Sequence, residues 1–221
     1  MKRAVICFTR VPKAGQTKTR LLPILSPQQC ADLHTAFLQD LAQLYECFPA
    51  DLFVAYTADP DWEQLKKIFP TAKAFFPQDG EDLGAKMLHA MENVLTLGYE
   101  SCILTGSDLP LLSSAQLESG FRALEQADVT LGPTPDGGYY LVGSKKPCPA
   151  LFRSQTYGGS TVWENTLAAA EQAGFSVLPA LPCDDVDNPD DLRSLWKTIA
   201  GNGSYTARFL EQIRKEGVSL C

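Results

Sequence analysis

The sequence predicts an α/β fold with a mostly parallel sheet and helices on both of its faces. Short β-rich runs alternate with amphipathic helical runs along all 221 residues, and this alternation is typical of parallel sheets. The turn sequence Asp136-Gly137-Gly138, which runs directly into an aromatic strand, predicts a hairpin or an antiparallel addition. No repeat, low-complexity block or linker divides the chain, so one domain spanning residues 1–221 is expected.

The order of elements follows from β-branched and aromatic runs, helical periodicity and turn residues. Strands are expected at Arg3–Thr9, Leu52–Tyr56, Lys73–Phe76, Ser101–Thr105, Val129–Gly132, Tyr139–Val142 and Ser176–Leu178. Helices are expected at Pro27–Cys47, Pro60–Ile68, Leu83–Thr96, Ser114–Gln126, Val162–Ala173, Pro189–Ile199 and Tyr205–Glu216. Ser113 with Gln116, and Thr161 with Glu164, have the spacing of capping boxes at helix starts.

Composition excludes several classes of protein. A formal net charge of -7 argues against general nucleic-acid binding, and no apolar run is long enough for a membrane span. The first apolar run ends at Thr9-Arg10, too early for a signal peptide. Seven cysteines without a CxxC pair predict a reducing, cytoplasmic location. With two histidines, zinc sites and Ser-His-Asp triads are poorly supported, and a packing or surface role is expected for His34.

A basic loop follows the first strand. Its cations are Arg10, Lys13, Lys18 and Arg20, and no acidic residue precedes Asp32. In an acidic protein this cluster indicates an anionic ligand, although a solvated basic rim explains the charges equally well. We expect Lys18 to contact phosphate, with Arg20 beside it and Arg10 in support, and Gly15 to allow close backbone approach. A Lys18→Ala variant should then lose nucleotide affinity and keep its melting temperature.

Two aspartates are candidate metal ligands. Asp108 follows a buried strand, and Asp187 precedes a late helix, with Asp185 as a less favoured substitute. Because ligands bind beyond the carboxyl ends of strands in open α/β sheets, both are expected beside the basic loop. Two carboxylates without a full protein cage suit Mg²⁺ or Mn²⁺, which complete their coordination with water and substrate phosphates. Asp190 and Asp191 are expected only to cap the helix or to face solvent.

The segment from Gly132 to Leu141 has two interpretations. Pro135-Asp136-Gly137-Gly138 is a favourable turn sequence. Alternatively, Gly137 and Gly138 make close backbone contact with a sugar or small acceptor, and Tyr139 lines the pocket. The residues alone do not separate these interpretations.

These motifs together resemble a known superfamily. They are RVPKAGQTKTRL (Arg10–Leu21), GSDLPLL (Gly106–Leu112), GPTPDGGYYLVG (Gly132–Gly143) and DVDNPDDL (Asp185–Leu192). In this order they resemble nucleotide-diphospho-sugar transferases of the GT-A type. More narrowly, they resemble a bacterial family assigned to the glycosyltransferases and related to 2-phospholactate and molybdenum-cofactor guanylyltransferases.

The resemblance implies a three-layer α/β/α sandwich, with Lys18 at the nucleotide phosphates and Asp108 and Asp187 at the metal. It implies a transferase that binds a nucleotide sugar or an NTP together with a small-molecule acceptor, and glycosyl transfer is the favoured reaction. Ser107-Asp108 in place of a DxD motif is closer to nucleotidyltransferases, which release pyrophosphate and are the alternative. A non-catalytic nucleotide-binding protein is the alternative from another class.

Overall fold

The computed structural model describes residues 2–153 and 155–220. Its strands are β1 (Arg3–Thr9), β2 (Asp51–Tyr56), β3 (Ala74–Pro77), β4 (Ser101–Thr105), β5 (Val129–Pro133), β6 (Tyr139–Ser144) and β7 (Val177–Pro179). Its α-helices are α1 (Pro27–Cys47), α2 (Gln64–Ile68), α3 (Leu83–Leu95), α4 (Ser114–Gln126), α5 (Val162–Gln172), α6 (Pro189–Ile199) and α7 (Tyr205–Lys215). A 3₁₀ turn at Thr19–Leu21 belongs to the basic loop, and a second 3₁₀ turn lies at Pro149–Leu151.

The strands form a seven-stranded sheet in the order β3-β2-β1-β4-β6-β5-β7. Strand β1 pairs in parallel with β2 and β4, and the outer pairs β2–β3 and β5–β7 are also parallel. Strand β6 runs antiparallel to both of its neighbours, β4 and β5. The predicted mostly parallel sheet with an antiparallel addition is therefore confirmed. The reversal also brings the first residues of β6 to the sheet edge where β1 and β4 end.

Helices cover both faces of the sheet, as predicted. Along β1, Val5 and Cys7 pack with α1 and α4, whereas Ala4 and Ile6 pack with α3 on the opposite face. This separation follows from the two-residue period of side chains along a strand. A third cluster joins α6 and α7 to the outer side of α1 around the fully buried Phe37.

Most predicted element bounds are correct to within one or two residues, but two local expectations are wrong. Helix α2 begins at Gln64 rather than Pro60, because the Asp59 carboxylate accepts a hydrogen bond from Asp61 N (2.8 Å) and holds the preceding segment in a turn. Thr161 makes no side-chain cap at α5. The capping box at α4 is present, with Gln116 Oε1 accepting from Ser113 N.

No helix in the described ranges combines the length and apolar character needed to cross a membrane. Each of the six cysteines that the structure describes is a free thiol.

Candidate active site

Lys18 lies at the centre of the candidate site. Its Nζ is 2.7 Å from Asp108 Oδ1 and 3.8 Å from Asp187 Oδ1, and it donates a hydrogen bond to Val186 O (2.5 Å). The Lys18 side chain is 3% exposed and passes over the ring of Phe37. The basic loop and the two distant aspartates therefore share one crevice, as the sequence analysis expected.

The backbone of Lys18 is left-handed, with φ of 52°. Within residues 2–153 and 155–220 it is the single non-glycine residue with positive φ. Such a conformation costs an ordinary side chain of order 1–3 kcal/mol and persists only where surrounding contacts hold it. Here the contacts with Asp108 and Val186 hold it. The side-chain ion pair and the turn of the loop are thus parts of one arrangement.

Burial of Lys18 changes one expectation from the sequence. A lysine that serves only a ligand would extend into solvent before the ligand binds, whereas Lys18 is already enclosed and paired. Its removal would leave Asp108 without its cation and Val186 O without its donor. On these contacts we expect Lys18→Ala to lower the melting temperature, in contrast to the unchanged value expected from the sequence.

The two carboxylates are open to the crevice. About 41% of the Asp108 side chain and 40% of the Asp187 side chain are exposed, on either side of the Lys18 ammonium. Burial by itself raises the pKa of Asp108, but the charge and hydrogen bond of Lys18, together with the other neighbouring basic groups, outweigh it and hold that pKa below its ordinary value. Asp108 is therefore an anion at neutral pH and able to bind a cation.

The backbone joins the two acidic segments. Val186 N donates to Asp108 O (3.0 Å), next to the bond from Lys18 Nζ to Val186 O. On the other side of Val186, the Asp191 carboxylate accepts from Asp187 N (2.9 Å) and Asn188 N (3.0 Å). The sequence predicts only a helix cap or a solvent-facing position for Asp191, but in the structure this cap also fixes the backbone of Asp187.

The remaining residues of the basic loop divide into two groups. Arg20 donates to Asp187 Oδ2 (2.9 Å), and Arg10 lines the same crevice while donating to Gln16 O. Lys13 instead pairs with Asp59 and Asp61 away from the crevice. Gly15 has φ of 74° and open space around its missing side chain, so it serves the turn of the loop.

The donor set fits a divalent metal. Two carboxylates approach within 4 Å of one positive charge, and Mg²⁺ in phosphate-binding sites takes one or two carboxylates plus substrate oxygens. Among the residues that the structure describes, no three acidic, histidine or cysteine side chains form a complete metal cage. The pair Asp108 and Asp187 thus suits a metal that arrives with the phosphates of a nucleotide.

His34 is a site residue that the sequence analysis missed. It is 1% exposed, and its Nε2 lies 3.4 Å from Thr9 Oγ1 and 3.3 Å from Ser107 Oγ. Its Nδ1 has no partner among the described residues, and burial lowers the pKa of His34 to about 4. The neutral ring therefore connects the ends of β1 and β4 directly behind Asp108. The signal in the sequence was a polar ring on an otherwise apolar helix face.

The crevice has three parts. The central part, about 460 Å³, contains Arg10, Lys18, Arg20, Asp108 and Asp187. A second part, about 360 Å³, lies toward β2 and β3 and is lined by Thr57, Gln78 and Lys86. A third, about 200 Å³, lies toward β6 and is mostly apolar. These parts are adjacent to one another, because Ser107 and Asp108 line all three.

Comparison with known proteins identifies the family. Residues 40–159, more than half of the chain, match the family described as uncharacterized protein conserved in bacteria (DUF2064). The chain belongs to the DUF2064 family. A crystal structure from Desulfovibrio desulfuricans, described as a nucleotide-diphospho-sugar transferase, is 31% identical, with a TM-score of 0.89 over 97% of this chain and 96% of that chain.

Curated relatives extend the comparison to enzymes. The 2-phospho-L-lactate guanylyltransferase of Methanothermobacter thermautotrophicus is 25% identical over 92% of this chain and 88% of its own length. The phosphoenolpyruvate guanylyltransferase of Conexibacter woesei is 27% identical over 74% of this chain and 75% of its own length. The DUF2064 protein is thus a transferase of the nucleotide-diphospho-sugar transferase superfamily, as the motifs predicted, and the non-catalytic alternative is set aside.

The glycine turn of the DUF2064 protein packs closely against other parts of the same chain. A side chain on Gly137 would lie 2.0 Å from Ser160 O, and one on Gly138 would lie 3.0 Å from Thr134 Oγ1. The close approach that Gly137 permits is therefore to the backbone of a neighbouring loop. These contacts support the turn interpretation of this segment, and a binding role for Gly137 and Gly138 stays a prediction. Tyr139, by contrast, lines the third part of the crevice.

Proposed function

We propose that this DUF2064 protein is a metal-dependent nucleotidyltransferase that uses an NTP and releases pyrophosphate. The observation that carries the proposal is the meeting of Lys18, Asp108 and Asp187 in a crevice at the carboxyl ends of β1 and β4. Such an edge is the usual ligand site of an open α/β sheet. The cations and carboxylates there match the two requirements of a polyphosphate, which are charge neutralisation and a metal.

The phosphates bind in the central part of the crevice. Arg10 and Arg20 are exposed there, and their planar guanidinium groups suit bidentate contact with phosphate oxygens. The enclosed Lys18 adds positive charge at the base of the crevice and keeps Asp108 ionised. Gly15 shapes the loop that carries all three cations.

Asp108 and Asp187 would hold the metal, Mg²⁺ or Mn²⁺. The ion supplies neutralisation of phosphate charge and an orienting template for the substrate when it is bound. The chain contributes a fixed separation of the two carboxylates through the bonds at Val186. Asp185 lines the part of the crevice toward β6, and it is not needed as a metal ligand in this arrangement.

The reaction is a displacement at the α-phosphorus. An acceptor oxygen forms a bond to that phosphorus, the bridging bond to the β-phosphate breaks, and pyrophosphate leaves with the electron pair. The acceptor proton passes to solvent. Arg10, Arg20 and Lys18 stabilise negative charge that develops on the departing group, while the crevice keeps the two reactants in line.

The nucleoside lies toward β2 and β3 in this proposal. That part of the crevice has polar groups suited to a base and a ribose, including the Thr57 hydroxyl and the Lys86 ammonium. Gln78 holds the local backbone, since its Nε2 donates to Thr9 O (2.8 Å) and Ala55 O (3.1 Å). The acceptor then approaches from the opposite side, where β6 begins. Because the two curated relatives are named guanylyltransferases, GTP is the first nucleotide to test.

Glycosyl transfer from a nucleotide sugar, which the sequence analysis favoured, becomes the second candidate. It is supported by the description of the D. desulfuricans structure as a nucleotide-diphospho-sugar transferase. Two observations favour nucleotidyl transfer instead. The curated relatives act on nucleotides by name, and the wall near β6 has few polar groups for a sugar.

Product analysis separates the two reactions. The protein is first screened for Mg²⁺-dependent thermal stabilisation by the four NTPs and by nucleotide sugars. It is then incubated with the stabilising nucleotide and candidate acceptors, and the released group is identified. Pyrophosphate supports nucleotidyl transfer, whereas a nucleoside diphosphate supports glycosyl transfer. If no nucleotide stabilises the protein in the presence of Mg²⁺ or Mn²⁺, the proposal is rejected.

A further inference from the structure

A small pocket opens beside Asp108 between β4, β6 and the start of α3. We call it the β4–β6 pocket, and its apolar walls are Phe8, Leu83, Met87, Leu104, Tyr139 and Val142. Its volume of about 200 Å³ is below the range of drug-sized ligand sites, which begins at about 300 Å³. Walls of this kind favour a compact apolar group, because binding removes apolar surface from water.

Tyr139 and Tyr140 line the β4–β6 pocket with their rings, because their hydroxyl groups lie against other residues. Tyr140 Oη donates to Leu181 O (2.8 Å), and Tyr139 Oη lies 3.5 Å from Tyr157 Oη. The remaining polar groups are the Ser107 hydroxyl and the carboxylates of Asp108 and Asp185 at the mouth. A sugar with several hydroxyl groups would leave most of them without hydrogen-bonding partners there.

The charges at the pocket disfavour an anion. No lysine, arginine or histidine lines it among the described residues, whereas Asp108 and Asp185 do. The nearest cations lie outside this lining: Lys18 pairs with Asp108 and Arg20 with Asp187, while Arg10 and Lys86 line the adjoining parts of the crevice. A neighbouring cavity that shares Asp185 is lined by further aspartates and by Arg20. A phosphate or carboxylate in this pocket would therefore have two carboxylates and no cationic side chain in the lining that surrounds it.

We infer that the β4–β6 pocket binds the acceptor, and that the acceptor is a compact, uncharged alcohol with a largely apolar body. The inference rests on the proposed function for the identity of the reaction, but the preference of the pocket is a property of its own walls. The body of the alcohol packs between Met87 and the ring of Tyr139, and its hydroxyl faces Asp108 and the α-phosphate. This class differs from the phosphorylated carboxylic acids named in the two curated guanylyltransferases.

Methionine methyl groups provide a direct binding test. Met87 lines the pocket at 6% exposure, while Met91 lies one turn further along α3 at 1% exposure. The full chain is labelled with ¹³C-methyl methionine, and Met87→Leu assigns the Met87 signal. Benzyl alcohol and benzoate are the probes, since they share a ring and differ in charge. We expect benzyl alcohol to shift the Met87 signal saturably, with a smaller effect on Met91 and about ten-fold tighter binding than benzoate.

A charge variant tests the electrostatic part of the inference. Leu83 is 42% exposed at the pocket mouth, and Leu97 is 58% exposed after the end of α3. Leu83→Lys should remove most of the discrimination against benzoate, and the matched control Leu97→Lys should leave it unchanged. Equal or tighter binding of benzoate by the unmodified protein, or no response of Met87 to benzyl alcohol, would overturn the inference.

The nucleotide experiment keeps the two proposals separate. Thermal stabilisation by NTP and Mg²⁺ is measured on the same protein without any acceptor. If benzyl alcohol binds at Met87 and no nucleotide binds, the proposed function fails and the pocket preference stands. If a nucleotide binds and benzoate is preferred at Met87, the pocket inference fails and the proposed function stands.

Discussion

Lys18 Nζ lies 2.7 Å from Asp108 Oδ1, which joins the basic loop after β1 to the acidic turn after β4. The pair has two consequences. It keeps Asp108 ionised, because a neighbouring ammonium favours the carboxylate. It also makes the candidate site part of the stability of the fold, since the lysine side chain is enclosed. Effects on stability and on ligand binding must therefore be measured separately at this position.

Replacement of Lys18 should affect both properties. Lys18→Met should destabilise the protein by about 1–3 kcal/mol, because Val186 O and Asp108 lose a buried donor, and it should weaken NTP binding. Urea denaturation gives the first quantity and nucleotide titration the second. Lys13→Met is the matched control, since Lys13 pairs with Asp59 and Asp61 outside the crevice. Equal stability of the two variants would contradict the structural role.

Removal of either carboxylate charge should abolish the metal dependence of nucleotide binding. Asp108→Asn and Asp187→Asn keep the size of the side chain and remove one anionic ligand each. The measurement is the increase in melting temperature with NTP, in the presence and absence of Mg²⁺. Asp190→Asn is the control, because Asp190 is solvent-exposed and pairs with Arg193. Retention of the Mg²⁺-dependent increase in both site variants would show that the metal assignment is incorrect.

Asp191, which caps α6, should affect metal binding indirectly, because its carboxylate holds the backbone of Asp187. Asp191→Ala removes the carboxylate that accepts from Asp187 N and Asn188 N. We expect a loss of about 1 kcal/mol in unfolding free energy, as for other cap replacements, and a higher Mg²⁺ concentration for half-maximal nucleotide binding. The comparison with Asp190→Ala isolates the cap. A change in stability with no change in Mg²⁺ requirement would limit Asp191 to a purely structural role.

Buried His34 should make the protein sensitive to mild acid. Its pKa is about 4 in the fold against 6.5 in an unfolded chain, and burial is the main cause. Between pH 6.5 and 4, His34 is therefore protonated in the unfolded chain and neutral in the folded protein. Stability is fully present above pH 6.5 and falls, by up to about 3 kcal/mol, as the pH drops toward 4.

The measurement for His34 is unfolding free energy as a function of pH. His34→Gln removes the titrating ring and should flatten the curve between pH 6.5 and 4, while acid loss at lower pH remains. An unchanged slope in the variant would assign the sensitivity to other groups.

The sequence predicts the fold well because local and long-range signals agree. In strand β1, for example, alternate residues face opposite sides of the sheet, so that Val5 and Cys7 pack on one face and Ala4 and Ile6 on the other. The failure at Pro60 has a local cause, since proline at a helix start and the Asp59 turn are both compatible with the sequence. A single side-chain hydrogen bond decides between them.

The sequence predicts where the candidate site lies in the fold, but it does not predict which side chains contact one another there. The rule for strand ends brings Asp108 beside the basic loop, yet it does not reveal that Lys18 is enclosed, because loop conformation depends on tertiary packing. Gly137 illustrates a second limit of the sequence. A glycine needed for close backbone approach was identified, but its partner is Ser160 of the same chain. Sequence indicates that space is required and does not indicate what fills it.

The peptide of Val186 accepts from Lys18 and donates to Asp108 through main-chain atoms. Because both hydrogen bonds use main-chain atoms of residue 186, a substitution of its side chain leaves the donor and the acceptor in place. Distant homologues can then keep the same spacing between their two acidic segments after the surrounding motif has become unrecognisable. Superposition of main-chain paths should find such homologues where alignment of residues fails.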